Sequence, residues 1–284
     1  MVARKSYPAG VPCWVDIAHG DVRAAVTFYA GLFDWQISDA TPPGSPGRYY
    51  VARCGGSAVA GVAPLAESAP GAGGRWSTYI SVDDADAVAG QVRDAGGQVL
   101  TPPIDVPSAG RVAVCADPAS AVFGVWQARG FGGAELVNAP GSWNWSDLNA
   151  NDLAGARAFY AAVFGWETTP VDLGRGESFM VRRPGYSDFL EQIDPGVRQR
   201  HLGAGAPEGF TDAIAWMQPL SPSEGEPHWA VTFSVDDTDA RAERVARLGG
   251  TVLVEPFDVP YSRMAVVRDP QGAVFSISKF VPPS

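Results

Sequence analysis

Trp14-Val15-Asp16, Asp21, Phe28-Tyr29 and Phe33-Asp34-Trp35 return 131 residues later as Trp145-Ser146-Asp147, Asp152, Phe159-Tyr160 and Phe164-Gly165-Trp166. Seven of these residues are identical at one fixed offset, which marks an internal duplication before any single element is read. The later landmarks repeat 153 residues apart: Val82-Asp83-Asp84 with Val235-Asp236-Asp237, Gly96-Gly97 with Gly249-Gly250, and Asp105-Val106-Pro107 with Asp258-Val259-Pro260. After a one-residue deletion, Asp117-Pro118 through Val122-Phe123 matches Asp269-Pro270 through Val274-Phe275 at 152. The rise from 131 to 153 gives the second copy 22 extra residues between Trp166 and Val235. The Gly- and Pro-rich span 186–227 is the expected place, and it reads as a long loop.

Each copy carries the same local signals. A short alternating strand from Cys13 to Ala18 ends at Asp21, which can cap a helix. Val22, Ala25, Val26, Tyr29, Leu32 and Phe33 then recur at helical spacing. Arg48 to Arg53 and Ser57 to Val62 read as paired strands turned by Gly55-Gly56. A second unit follows: a strand from Trp76 to Val82, an Asp-capped helix from Asp84 to Ala95, and a Gly-Gly stop. Val99-Leu100, Arg111 to Cys115, the turn at Asp117-Pro118 and a strand from Val122 to Gln127 complete it. The reading gives a tail over 1–10, a first module over 11–131, a linker over 132–142 and a second module over 143–284.

In this order the motifs resemble the vicinal oxygen chelate superfamily, which includes glyoxalase, bleomycin-resistance and extradiol-dioxygenase modules. The strand, the Asp-capped helix with Phe-Tyr and the Phe-x-Trp sequence are similar to the opening of such a module. Val-Asp-Asp, helix, Gly-Gly and Asp-Pro-x-x-x-x-Phe are similar to its closing half. The resemblance covers nearly the whole chain, about residues 11–130 and 142–281. It implies an α+β fold of tandem glyoxalase-like modules: four βαβββ units forming two half-open curved sheets, with helices outside and a ligand cavity in each cup. It also implies a divalent metal in the family's enzymes, held by His, His or Gln, and Glu.

Spacing to the landmarks puts those three ligand positions on Trp14, Ser77 and Gly124 in the first module. In the second they fall on Trp145, Ala230 and Ser276. None of these is an imidazole, thiolate or carboxylate, so no metal and no cofactor is expected. Asp16 and Asp147 lie two residues further along the first strand and share a face with the lost positions. His228 lies two before Ala230, near Glu226, while Arg75 stands at the matching place in module one. A displaced metal site built on Asp147 and His228 would lack a third ligand, since Ser276 and Ser278 carry no carboxylate. His19 reads as a surface or capping residue and His201 as exposed in the long insertion.

Nine tryptophans are many for 284 residues. Trp14, Trp76, Trp126, Trp145 and Trp229 fall on strands expected to face the cavities, with Trp216 near the insertion. They read either as packed core or as the walls of an aromatic pocket oriented by a few polar groups. Asp16 and Asp147 would be those groups, as hydrogen-bond acceptors or as general bases. Arg53, Arg111 and Arg263 are candidate partners for them. Trp14, Asp16, Trp76, Trp126, Trp145, Asp147, Trp216 and His228 are therefore the candidate ligand-binding residues, with Asp16, Asp147 and His228 the candidates for catalysis.

Composition narrows the partners. Formal net charge is -10, with 31 acidic against 21 basic side chains and no basic stripe, which argues against nucleic acid. No stretch approaches the ~20 apolar residues of a bilayer span, and no apolar signal core follows the first basic residues. Cys13, Cys54 and Cys115 are too scattered for a zinc motif and read as small buried side chains in a reducing cytoplasm. Gly71 to Gly74 lacks the Lys-Ser/Thr of a phosphate loop, and no Gly-x-Ser-x-Gly is present. Asp83-Asp84-Ala85-Asp86 caps a helix and does not form a calcium loop.

The expected function is metal-independent binding of a small aromatic or hydrophobic molecule, with sequestration or resistance to a natural product as the use. The competing expectation is an enzyme of secondary or xenobiotic metabolism, of lyase, isomerase or oxygenase type, acting through Asp16, Asp147 or His228. In a further variant, module one is only a scaffold. The oligomer is expected to be a monomer or a homodimer.

Overall fold

The structure is a computed structural model that describes residues 4–41, 47–65, 74–172, 174, 176–220 and 225–282. Module one supplies β1 (Pro12–His19), α1 (Val22–Phe33), β2 (Gln36–Asp39), β3 (Tyr50–Cys54) and β4 (Ser57–Pro64). It continues with β5 (Trp76–Ser81), α2 (Ala85–Asp94), β6 (Gln98–Val106), β7 (Gly110–Ala116) and β8 (Val122–Ala128). Module two opens with β9 (Ser142–Ala150), α3 (Leu153–Phe164), β10 (Glu167–Asp172) and β11 (Glu177–Arg182). Then come α4 (Tyr186–Ile193), α5 (Val197–Gly203) and β12 (Ala213–Pro219). It closes with β13 (His228–Ser234), α6 (Thr238–Arg247), β14 (Thr251–Val259), β15 (Ser262–Arg268) and β16 (Val274–Phe280).

The helices start where the sequence places their caps. Asp21 accepts from the N–H groups of Arg23 and Ala24, Asp152 from Gly155, Asp84 from Asp86 and Ala87, and Asp237 from Ala240. Each module forms one eight-stranded open sheet, in the orders β2-β3-β4-β1-β5-β8-β7-β6 and β10-β11-β12-β9-β13-β16-β15-β14. Within a module the two βαβββ halves join through one antiparallel pair, β1 with β5 and β9 with β13.

The two sheets share a core on their helix-covered faces. Phe33 of α1 packs 5.0 Å from Phe233 of the other module, and Tyr29 packs 5.8 Å from Phe275. In the reciprocal arrangement Tyr160 of α3 lies 5.7 Å from Phe123. Each first-half helix thus covers the second-half strands of the other module. The fold buries its apolar stripe between the copies. The N-terminal segment is tied down here too: Trp166 Nε1 donates to the Gly10 carbonyl at 2.7 Å and the Tyr7 hydroxyl to that of Ala134 at 2.7 Å.

Gly55 and Gly56 turn β3 into β4 with φ of 56° and 87°, as a two-residue hairpin requires. The matching connection in module two runs over 183–212 and departs from the expected loop. It folds as α4, α5 and a short 3-10 turn at Phe210–Asp212, Ala213–Pro219 belongs to the sheet as β12, and 221–224 of the expected loop lie outside the described residues. Gly185, Gly196 and Gly209 explain the difference. Each sits at positive φ, 83°, 83° and 77°, immediately before one of these helical turns. The glycines punctuate short helices. Among the described residues no helix is long and apolar enough to cross a membrane.

Candidate functional site

Strand pairing fixes which side chains share the uncovered face of each sheet, because directly paired residues point the same way. In module one a row runs Trp14, Tyr79, Gly124, Val114 and Thr101 across β1, β5, β8, β7 and β6. Beside it run Val51, Gly61, Asp16 and Ser77, and on the other side Ser81, Trp126, Val112 and Ile104. This face is filled by its own side chains. Trp14 Nε1 donates to the Tyr49 hydroxyl at 2.7 Å, and Tyr49 donates to Asp16 Oδ2 at 3.0 Å. The Tyr79 hydroxyl donates to the same carboxylate at 3.0 Å. Any side chain at Gly61 would collide with Tyr49, and any at Gly124 with the Tyr79 ring. Phe131 closes the rest, 4.9 Å from Trp14 and 6.3 Å from Trp126, and its carbonyl accepts the Trp126 indole N–H at 2.8 Å. Burial without a countercharge pushes the Asp16 carboxyl up to about 6, against the opposing pull of the tyrosine hydrogen bonds.

The equivalent rows of module two hold different side chains. Trp145, Thr232, Ser276, Val266 and Val254 lie on β9, β13, β16, β15 and β14. Met180, Trp216, Asp147 and Ala230 flank them on one side, and Ser234, Ser278, Met264 and Phe257 on the other. The bulky Tyr79 and Trp126 are thus replaced by Thr232 and Ser278. Aromatic walls stand at one end, with Trp145 5.6 Å from Trp216. Phe210, from the 3-10 turn of the insertion, lies 6.2 Å from Trp145 at an interplanar angle of 8°. Trp145 Nε1 has no hydrogen-bond partner among the described residues, whereas its counterpart Trp14 has Tyr49. The insertion also reaches the far end of the face, where the Tyr261 hydroxyl donates to the Gly205 carbonyl at 3.4 Å.

His228 sits at the start of β13 on this face, with Nδ1 2.8 Å from the Glu226 carbonyl and Nε2 3.5 Å from the Asn149 amide. His201 is half-buried rather than exposed. Its Nδ1 lies 3.1 Å from Thr211 Oγ1 and its ring edge-on to Phe210. Burial, with Arg200 nearby, pushes its imidazole below the usual range.

The structure brings Trp145, Asp147, Trp216 and His228 together on the uncovered face of module two, and Trp14, Asp16 and Trp126 on that of module one. Trp76 belongs to neither. It points into the covered core, 5.2 Å from Tyr29 and 4.8 Å from Phe233. Trp229 does the same and donates to Tyr160 at 3.0 Å. Alternation gives the reason: Trp76 precedes Ser77 and must face the opposite way. The arginines proposed as partners for the aspartates pair elsewhere: Arg53 with Glu135, Arg111 with Asp86 and Asp105, and Arg263 with Asp239 and Asp258.

The donor set of the described residues does not fit a divalent metal. Among the described residues no three His, Cys, Asp or Glu side chains converge on one point. The positions around Asp16 are taken by tyrosine and tryptophan, and those between Asp147 and Ser276 by alanine and threonine.

A buried clasp between the modules has no counterpart in the sequence reading. His19, 2% exposed, is not at the surface: its Nε2 stands 2.6 Å from Asp269 Oδ2, which also accepts from the Tyr29 hydroxyl at 2.8 Å. Asp269 Oδ1 meanwhile accepts the N–H groups of Gln271 and Ala273, so one carboxylate shapes its turn and holds the other module. Burial raises Asp269, but the His19 and Tyr29 hydrogen bonds outweigh it and hold the carboxyl below its usual range. Asp117 makes the same turn and meets Tyr160 at 3.4 Å. Ala150 stands where a second histidine would be needed, and burial pushes the Asp117 carboxyl up.

Comparison with known proteins agrees with this architecture. Residues 13–123 match the Glyoxalase/Bleomycin resistance protein/Dioxygenase superfamily, and residues 146–278 match a glyoxalase-like domain. CFP32 of Mycobacterium tuberculosis, provisionally named a glyoxylase, is 39% identical over 285 residues, covering 99% of both chains. The anthracycline biosynthesis protein DnrV of Streptomyces peucetius is 37% identical, covering 95% of this chain and 94% of the relative. Two solved structures share the fold at low identity. The Mn(II)-bound glyoxalase from Novosphingobium aromaticivorans has a TM-score of 0.59 at 14% identity, covering 95% of this chain and 82% of that one. BphC, a halotolerant catechol dioxygenase, has a TM-score of 0.61 at 10% identity, covering 97% and 89%.

Proposed function

This chain belongs to the glyoxalase/bleomycin resistance protein/dioxygenase superfamily, and on that premise we propose that it binds a small aromatic molecule on the uncovered face of module two without a metal. The observation that carries the reading is the exchange of Tyr79 and Trp126 for Thr232 and Ser278 at equivalent places on the two sheets. Module one fills its face with its own rings. Module two sets Trp145, Trp216 and Phe210 around the equivalent place, with the smaller Thr232 and Ser276 between them and the far strands, and Asn144 donating to Ser278 at 3.1 Å. Ring stacking of this kind contributes about 0.5–1.5 kcal/mol per pair beyond the area buried. A ligand oxygen near Trp145 Nε1 would take the part that the Tyr49 hydroxyl plays for Trp14. The relatives named for anthracycline biosynthesis support an aromatic product of secondary metabolism as the ligand class.

The same names favour a second reading, a metal-free enzyme at this face. His228 Nδ1 donates to the Glu226 carbonyl, which fixes the tautomer whose lone pair is on Nε2, the form a general base requires, and Asp147 lies on the neighbouring strand.

Metal content and tryptophan quenching by 1-naphthol, before and after chelation, test the proposal. It expects substoichiometric metal and saturable quenching that survives the chelator. Near-stoichiometric metal with chelator-sensitive quenching would overturn it. Chemical conversion of a bound phenol, lost in Asp147→Asn, would replace binding with the enzyme reading.

A further inference from the structure

Beyond Ser276 the uncovered face of module two does not end in polar residues. Val266 and Met264 of β15 are half-buried, and Val254, Phe257 and Phe280 are 45%, 37% and 60% exposed. Pairing places Val254 beside Val266 and Phe257 beside Met264, and alternation along β16 puts Phe280 on the face of Ser276 and Ser278. The equivalent module-one residues are Thr101 for Val254, Ile104 for Phe257 and Ala128 for Phe280. The apolar shelf is therefore heavier in the module whose row carries the smaller side chains, and it continues the row that starts at Trp145.

Three strand intervals separate Trp145 on β9 from Val266 on β15, about 14 Å at the usual spacing, and a fourth reaches Val254 at about 19 Å. One aromatic ring held at Trp145 cannot touch this shelf. A partner protein's strand is a poor occupant. β14 is an edge, but Pro256 lacks an N–H, Glu255 and Asp258 bring charge, and the strand bulges between Val252 and Val254 and between Val254 and Phe257.

We propose that the ligand is a flat molecule of at least three fused rings lying across the strands. One end stacks at Trp145, its oxygens meet Thr232 and Ser276, and its far ring rests on the Val254–Phe257–Phe280 shelf. The polar pair sits midway along the row and matches oxygen substituents on a central ring. The shelf supplies apolar area to a ring beyond it, at roughly 25 cal/mol per Å² removed from water.

The inference rests on the binding reading above, and two probes separate their failures. 1-Naphthol reaches Trp145 but not the shelf, and 1,8-dihydroxyanthraquinone reaches both. Phe257→Ser with Phe280→Ala removes two exposed rings, so the fold is retained. This variant is expected to bind the anthraquinone tenfold or more weakly by tryptophan quenching, with 1-naphthol unchanged within twofold. Unchanged binding of both probes, or equal loss of both, overturns the fused-ring assignment and leaves the binding face standing. If neither probe quenches the unaltered protein, the binding reading fails, and the inference fails with it.

Discussion

Where module one sets Trp14, Tyr79, Gly124, Val114 and Thr101 along a row, module two sets Trp145, Thr232, Ser276, Val266 and Val254 on the same backbone frame. In the first copy two tyrosines close over Asp16, and two glycines make room for them. In the second copy no tyrosine follows Asp147 on the facing strand, and an added helical segment brings Phe210 against Trp145 instead. The covered faces differ as well. His19 strengthens one inter-module clasp at Asp269, while Ala150 leaves the other to Tyr160 and Asp117 alone. Duplication lets one copy fill its face with tyrosine and tryptophan, while the other carries threonine and serine at the same places.

The largest expected effect comes from making the clasps alike. His19→Ala gives module one the residue that module two carries and strands Asp269 in a buried place. Losing one partner of such a pair costs about 4 kcal/mol. Because Asp269 is held below its usual range, its contribution is present at neutral pH and is lost as pH falls through the folded-state value. Chemical denaturation at pH 7 and at about pH 2 reads both effects. A loss under about 1 kcal/mol at pH 7 would show that the two clasps are equivalent.

Asp16→Asn is next and acts in the opposite direction. With Asp16 raised to about 6, the folded protein holds a proton that the unfolded chain releases. Stability is then highest in acid and declines as pH rises from the ordinary carboxylate range through 6, by about 3 kcal/mol in all. The amide removes that decline, so the variant is expected to match the parent near pH 3 and exceed it at pH 7.5. Parallel stability curves would remove the claim that module one buries an uncompensated carboxylate.

Tyr261→Phe sharpens the comparison by the smallest amount. Its hydrogen bond to Gly205 is long and exposed, worth about 0.5 kcal/mol. Amide exchange between Gly203 and Gly209 is expected to quicken about twofold, with β9 and β13 unchanged. No change there would mean that the insertion is held by Phe210 alone.

Much of this is legible in the sequence. The fixed offsets reveal two copies, and the four capping aspartates locate the helices, because a cap is a local hydrogen bond. Trp76 and Trp229 are expected on the cavity face and lie on the other, although alternation with Ser77 and Ala230 already argues for the core. The parity of His19 with Val15 and Ile17 likewise points inward, but its partner lies 250 residues away, and no local pattern announces such a contact. Tyr79 shares the face of Ser77, so its filling of the cup is open to a sequence argument. That of Tyr49 is not, since it precedes β3 in irregular backbone. The short helices of the insertion are hidden by glycines, which mark a turn equally well whether a loop or a helix follows.

The central claim is that module two's face, and not module one's, holds the ligand. Chelator-resistant quenching by 1-naphthol, compared between Thr232→Tyr/Ser276→Gly and the reciprocal Tyr79→Thr/Gly124→Ser, tests it most directly. The account predicts binding at least tenfold weaker in the first variant, which installs module one's filling, and binding within twofold of the parent in the second. Unaltered binding in the first together with loss in the second would place the ligand in module one and contradict the account.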